Sequence, residues 1–177
     1  MHEVREMREQ DIETVSSVRV AGWRTAYAGI LPQAYLDGLS AEQDARGRRK
    51  RFARAGGDTL DLVAEDSGTV VGWLAMGPCR DDDAGPGDGE VYAFYVRPDR
   101  IGTGAGRALA AAALRAARER SYERLLLWVL EDNLRARRFY GSAGYVPEGS
   151  RSLWEVAGVA VPELRYHRDV PRPAVEE

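Results

Sequence analysis

The stretch "VRPDRIGTGAGRAL", Val96 to Leu109, sets three glycines at alternate positions between the apolar run "EVYAFYV" and an alanine-rich segment. A strand that feeds a glycine-rich turn into a helix leaves unpaired backbone N–H groups at the positive end of the helix dipole, a ready site for phosphate. Glycine also lets the backbone approach a ligand with no side chain in the way. One glycine suffices for a tight turn, so three in alternation point to an anion site. Two phosphate loops fail on residue identity. A Walker A loop needs a Lys-Ser or Lys-Thr pair, and the sole lysine, Lys50, precedes Arg51. A dinucleotide fingerprint counted from Gly102 and Gly104 places its third glycine at Arg107, and its acidic partner is missing from the next strand, "RLLLWVL", since Glu131 comes too late.

Composition narrows the rest. A chain of 177 residues that is 44% hydrophobic supports one core, read as a single domain over residues 1–170 with a loose tail at 171–177. The formal charge of −3 supplies no net positive field for a polyanion, which argues against a nucleic-acid partner. Cys79 is the lone cysteine, and the histidines are His2 at a frayed chain start and His167 in an alternating C-terminal segment. Neither a disulfide framework, a metal site nor a histidine-based triad has its raw material. No signal peptide and no apolar run of membrane-spanning length is present, so a soluble cytoplasmic protein without a membrane partner is expected.

The periodicities predict mixed α/β structure. Residues 2–7 read as a strand, and Asp11 as the N-cap of a helix carrying Ile12, Val15, Val18 and Gly22. Pro32 opens a short helix, and Ser40 with Gln43 gives a capping-box signature for a charged helix to about Ala55. "DTLDLVAEDSGTVVGWLAM" reads as a hairpin around Asp66-Ser67-Gly68. "CRDDDAGPGDG" reads as a solvated loop. Gly104 to about Arg120 is a helix, "RLLLWVL" a buried strand, and segments 145–156 and 163–170 two final strands. "NLRARRFYGSAG" is a short helix with Asn133 as N-cap and Gly144 at its end. Asn133 and Tyr140 stand two turns apart on one face of it, placed to reach a ligand beside the preceding strand or to serve as cap and core aromatic.

Together "VRPDRIGTGAGRAL" and "LWVLEDNLRARRFYGSAGY" resemble the two successive motifs of the GNAT superfamily of N-acetyltransferases, over roughly residues 60–147. Gly104 and Gly106 match the motif glycines, while Ile101 stands where the family usually has Gln or Arg. The resemblance implies an α+β fold with a central, mostly antiparallel mixed sheet, flanked by helices and splayed between its fourth and fifth strands. It implies acetyl-CoA as co-substrate and no metal. The pyrophosphate would rest on backbone N–H groups along Ile101, Gly102, Thr103, Gly104, Ala105, Gly106 and Arg107. The pantetheine arm would pair with Phe94, Tyr95 and Val96 as an added strand. Asn133 would bond the pantetheine and Tyr140 would lie near the sulfur.

The chemistry implied is transfer to a primary amine, small-molecule or peptide, by direct attack in a ternary complex. Tyr140 would protonate the departing thiolate, a backbone N–H near Phe94 or Tyr95 would serve the oxyanion, and Cys79 would be inert. Glu90, at the start of the central strand, is the candidate general base. Trp23 and Tyr27, one turn apart, are expected to line the acceptor pocket beside it. The Asp-rich loop leans the acceptor toward a cation. A non-catalytic acyl-CoA sensor of the same fold is the competing reading, a nicotinamide enzyme a more distant third. A homodimer formed through the last two strands is compatible with the pattern.

Overall fold

The computed structural model describes residues 2–54 and 56–171. In chain order the elements are β1 (Glu3–Glu6), α1 (Ile12–Ala26), α2 (Gln33–Asp37), α3 (Ala41–Arg54), β2 (Leu60–Asp66), β3 (Thr69–Pro78), β4 (Asp88–Val96), α4 (Ala105–Glu119), β5 (Arg124–Leu130), α5 (Leu134–Ser142), β6 (Val146–Val156) and β7 (Val159–Asp169). They build one seven-stranded sheet in the order β1-β2-β3-β4-β5-β7-β6. Every neighbouring pair is antiparallel except β4 with β5.

Side-chain alternation along the strands fills two faces. On one face Leu62, Leu74, Met76, Leu125 and Leu127 pack under α4, which contributes Leu109, Ala113 and Ala117. On the other, Val63, Trp73 and Ala75 meet Ile12 and Val15 of α1 and Ala45 of α3. Small alanines on the inner side of α4 let that helix lie close to the sheet. The hairpin forms where expected, with Ser67 at φ 51° and Gly68 at φ 79°, the two left-handed residues that a two-residue turn matched to strand twist demands.

The parallel pair decides the function of the sheet. β4 and β5 are paired only through Asp88↔Arg124, Gly89↔Leu125 and Glu90↔Leu126. β5 then follows β7 for its whole length, Arg124↔Asp169 through Leu130↔Glu163. β4 stays with β3, where a register shift sets Val91 against Met76 and Ala93 against Ala75 and leaves Tyr92 as the extra residue of a bulge. The closed end is clamped twice. Arg124 Nε and NH2 donate to the two carboxylate oxygens of Asp88 at 2.8 and 2.9 Å, and Gly89 lies so close to its neighbours that a Cβ there would fall 2.6 Å from the Tyr122 ring and 2.9 Å from Leu125.

Three local expectations change and a fourth gains a detail. Asp11 does not cap α1 with its side chain; its buried carboxylate accepts from Arg5 NH1 and NH2 at 2.7 and 3.0 Å and from the Arg8 N–H at 2.7 Å, tying the chain start to β1. The Arg5 guanidinium holds that carboxyl below its ordinary range, although burial pulls the other way. The Asp-rich loop is an exposed connection, as expected, but a latched one: Arg165 of β7 donates to Asp81 and to both oxygens of Asp83, at 2.9, 2.6 and 2.7 Å. β7 starts at Val159, four residues earlier than its pattern suggests, because Ala157 and Gly158 make a second left-handed turn that joins it to β6. His2 is not loose either, as its Nε2 lies 3.1 Å from the Thr103 carbonyl. The tail at 172–177 lies outside the described residues.

Gly89→Ala is expected to cost about 1–3 kcal/mol through overpacking at the β4–β5 contact. A urea denaturation series, read as a lower midpoint at unchanged slope, checks it.

Candidate active site

Past Glu90 the two parallel strands diverge, and the gap becomes a cavity of about 730 Å³. Its walls come from β4, β5, the glycine-rich loop, α5 and the end of α1. From Val91 to Val96 the β5-facing edge of β4 has no strand partner. Phe94, Tyr95 and Val96 lie along that edge and line the cavity.

The three glycines of the loop do two different jobs. Gly102 at φ 86° and Gly104 at φ 100° adopt the left-handed conformation that only glycine takes cheaply, and Gly104 is the N-cap of α4. Gly106 is needed for space, since a Cβ would sit 3.2 Å from the Phe139 ring of α5. The first turn of α4 therefore directs its orphan N–H groups toward the cavity, which Ile101, Gly102, Gly104, Gly106 and Arg107 all border. Thr103 and Ala105 do not border it. The Thr103 N–H and hydroxyl both donate to the Arg100 carbonyl, at 3.3 and 2.7 Å, and Ala105 is fully buried under the helix.

α5 is pinned over the loop by edge-on aromatic contacts. Phe94 meets Phe139 at 5.3 Å and Tyr140 at 6.1 Å between ring centroids, and Tyr140 meets Tyr145 at 5.9 Å. Tyr140 borders the cavity, and burial raises its hydroxyl well above the ordinary tyrosine range, so it keeps its proton at neutral pH. Asn133 also borders the cavity, with Oδ1 accepting from the Ala136 N–H at 3.2 Å as the N-cap of α5.

At the far end, Trp23 and Tyr27 form an aromatic wall. The Trp23 indole N–H donates to the Tyr95 hydroxyl at 2.8 Å, and the Tyr27 and Tyr95 hydroxyls are 3.4 Å apart. Trp154 of β6 completes the wall, its ring 5.4 Å from Trp23 and 6.2 Å from Tyr27. Gly22 allows this approach, because a Cβ there would fall 2.9 Å from the Tyr95 ring.

The carboxylates divide sharply. Glu90 is 5% exposed and accepts from the Arg80 N–H, Nε and NH2 at 3.0, 3.2 and 2.9 Å, so both oxygens are engaged. Arg80 in turn lies 3.8 Å over the Tyr92 ring. Asp81 and Asp83 share the single positive charge of Arg165, which leaves the loop acidic. Glu163 on β7, absent from the sequence-based candidates, lines the cavity, and no described residue bonds its carboxylate. Burial pushes the Glu163 carboxyl up, with Asp81 and Glu90 adding to the shift. Nothing in "VPELRYHRD" distinguishes this glutamate from any polar residue of an alternating strand. Cys79 does not border the cavity, and burial raises its thiol. Among the described residues no group of three His, Cys, Asp or Glu is placed to hold a metal, and no helix is long and apolar enough to cross a membrane.

A V-shaped opening between two parallel strands, with a glycine-capped helix start on one lip, offers room and backbone donors for an extended anionic ligand. Known proteins define the class. Residues 21–145 match the Acetyltransferase (GNAT) family model. The Uncharacterized N-acetyltransferase YuaI of Bacillus subtilis (strain 168) is 32% identical over 162 residues, covering 91% of this chain and 89% of that protein. The PaiA N-acetyltransferase of Thermoplasma acidophilum, solved with coenzyme A, superposes with a TM-score of 0.73 at 19% identity over 96% of this chain and 99% of its own. YncA of Salmonella typhimurium, solved with acetyl-CoA, gives 0.72 at 18% identity over 100% and 98%. The chain belongs to the GNAT acetyltransferase family, and its activity class is N-acetyltransferase.

Asn133→Ala is expected to lose about 1 kcal/mol through the missing cap, and Asn133→Asp to keep most of it. Thermal unfolding of the two variants beside the parent checks the pair.

Proposed function

We propose that the protein transfers the acetyl group of acetyl-CoA to a primary amine by direct attack in a ternary complex, with Tyr140 as the general acid. The observation that carries this reading is the unpartnered edge of β4 lying in one cavity with the glycine-rich helix start and the Tyr140 hydroxyl. The residues fit the ligand. The N–H groups of Gly102, Gly104, Gly106 and Arg107, which border the cavity, suit a pyrophosphate despite Ile101 at the usual polar position. Arg107 and Arg135 border the cavity with further positive charge. The bare edge at Phe94 to Val96 supplies strand-like hydrogen bonds to an extended amide chain, and Asn133 stands across from it.

Bound there, acetyl-CoA supplies a thioester as the acyl donor. Tyr140, protonated throughout the neutral range, holds the proton that a departing thiolate needs. A backbone N–H at the Tyr92 bulge or along Phe94 and Tyr95 can face charge developing on the acyl oxygen. Trp23 and Tyr27 wall the acceptor end and exclude water from it. Glu90 lines the same end inside its pair with Arg80, and a carboxylate with both oxygens occupied is a weak proton acceptor. Cys79, outside the cavity with a raised thiol pKa, supports direct attack over an acetyl-cysteine.

Release of free CoA thiol from acetyl-CoA, with polyamines, aromatic amines, amino acids, aminoglycosides and short peptides as acceptors, tests the proposal. Tyr140→Phe is expected to lower kcat about 100-fold with acetyl-CoA affinity unchanged by calorimetry. Acceptor-independent behaviour in the parent protein would sink it.

A further inference from the structure

Among the carboxylates at the acceptor end, Glu90 is chelated by Arg80, and Asp81 is held by the Arg165 guanidinium and by the Trp128 indole N–H at 3.1 Å. Glu163 is the exception. It sits opposite Leu130, the last residue of β5, where the two parallel strands have already separated. Alternation along β7 puts it on one sheet face with Val161 and Arg165. Val161 packs in the cluster of Trp23 and Leu130, with Trp154 against it, and Arg165 anchors the Asp-rich loop. The glutamate therefore stands between the aromatic wall and the latched loop, its carboxylate in the cavity.

We propose that Glu163 receives the ammonium group of the acceptor and takes its proton, which makes Glu163 the general base of the reaction. This rests on the acetyltransferase reading above and deepens it: the acceptor binds as a protonated primary amine, charge to carboxylate, and becomes nucleophilic only inside the cavity. One proton passes from nitrogen to the Glu163 carboxylate and later to water. The neutral nitrogen forms the C–N bond as the C–S bond breaks, the sulfur takes the Tyr140 proton, and the second nitrogen proton restores Tyr140 through solvent. The sum is amide, free thiol and one proton released.

The environment suits the role. The charged groups that act on Glu163 are Asp81 from the β3–β4 loop and Glu90 of β4, the latter paired with Arg80, and Arg165 stands two residues along its own strand on the same sheet face. Burial and the two acidic neighbours raise its pKa, which makes it a better proton acceptor than an ordinary carboxylate. The same shift has a thermodynamic signature. A carboxyl whose folded pKa lies above its unfolded value favours the native state most at low pH and loses that contribution as pH rises through the folded pKa. Glutamine never charges, so it escapes the loss.

The test compares Glu163→Gln, Glu163→Asp and Glu90→Gln with the parent, using tyramine, spermidine and an alanine-terminated hexapeptide as acceptors. Glu163→Gln is expected to lose about 100-fold in kcat and to abolish the acid limb of the kcat/KM profile, with acetyl-CoA affinity unchanged and partial rescue by Glu163→Asp. Glu90→Gln is expected to keep the limb. Independently of any acceptor, Glu163→Gln is expected to raise Tm relative to the parent at pH 8 and not at pH 4. A retained acid limb in Glu163→Gln, or a Tm difference that is the same at both pH values, overturns the assignment alone. A parent protein that acetylates no amine overturns the function reading, and this assignment with it.

Discussion

The site depends on three residue pairs. Parallel strands usually run beside each other for their full length, yet β4 and β5 share only Asp88 to Glu90 with Arg124 to Leu126 before parting. What closes one end is a bidentate Asp88–Arg124 ion pair and a glycine pressed against Tyr122 and Leu125. What opens the other is a conflict of allegiance. β4 keeps its antiparallel partner β3, β5 keeps β7, and the twist of a sheet carries the two halves apart. The bare edge left on β4 is costly for an isolated protein, because unpaired backbone groups seek partners. An extended ligand is the natural partner for such an edge.

Arginine organises much of the surroundings. Arg5 fastens the chain start to Asp11, Arg165 latches the Asp-rich loop, and Arg80 occupies Glu90. Paired charges of this kind contribute little when exposed, and where the carboxylate is buried, as Asp11, Asp88 and Glu90 are, the cost of desolvation offsets much of the attraction. Their larger effect is on availability. By consuming carboxylates beside the aromatic wall they single out Glu163, whose carboxylate feels Asp81 and Glu90 and is bonded by no described residue.

The aromatic side chains form two groups around the cavity. Phe94, Phe139, Tyr140 and Tyr145 lock α5 to β4 beside the glycine-rich loop. Trp23, Tyr27 and Trp154 form the second, and the Tyr95 hydroxyl of β4 is tied to it by its hydrogen bonds with Trp23 and Tyr27. α1 therefore reaches the central strand through side-chain contacts at Tyr95, and the missing side chain at Gly22 sets how close it comes.

The sequence by itself determined what local chemistry can encode. The alternation of "EVYAFYV", the left-handed glycines at 102 and 104 and the Asn133 cap each depend on neighbours a few residues away, so the strand, loop and helix were legible, and with them the family. Tertiary structure decided what depends on residues far apart in the chain. The loop aspartates Asp81 and Asp83 are latched by Arg165, more than eighty positions away. Gly106 proved to serve Phe139 as a spacer. Glu90 lost its freedom to Arg80, which only the bend from β3 into β4 brings beside it. Glu163 gained its position because β7 inserts between β5 and β6. No pattern within its own strand carries that information, since the burial and neighbouring charge that set its proton affinity come from strands that meet only when the sheet is assembled.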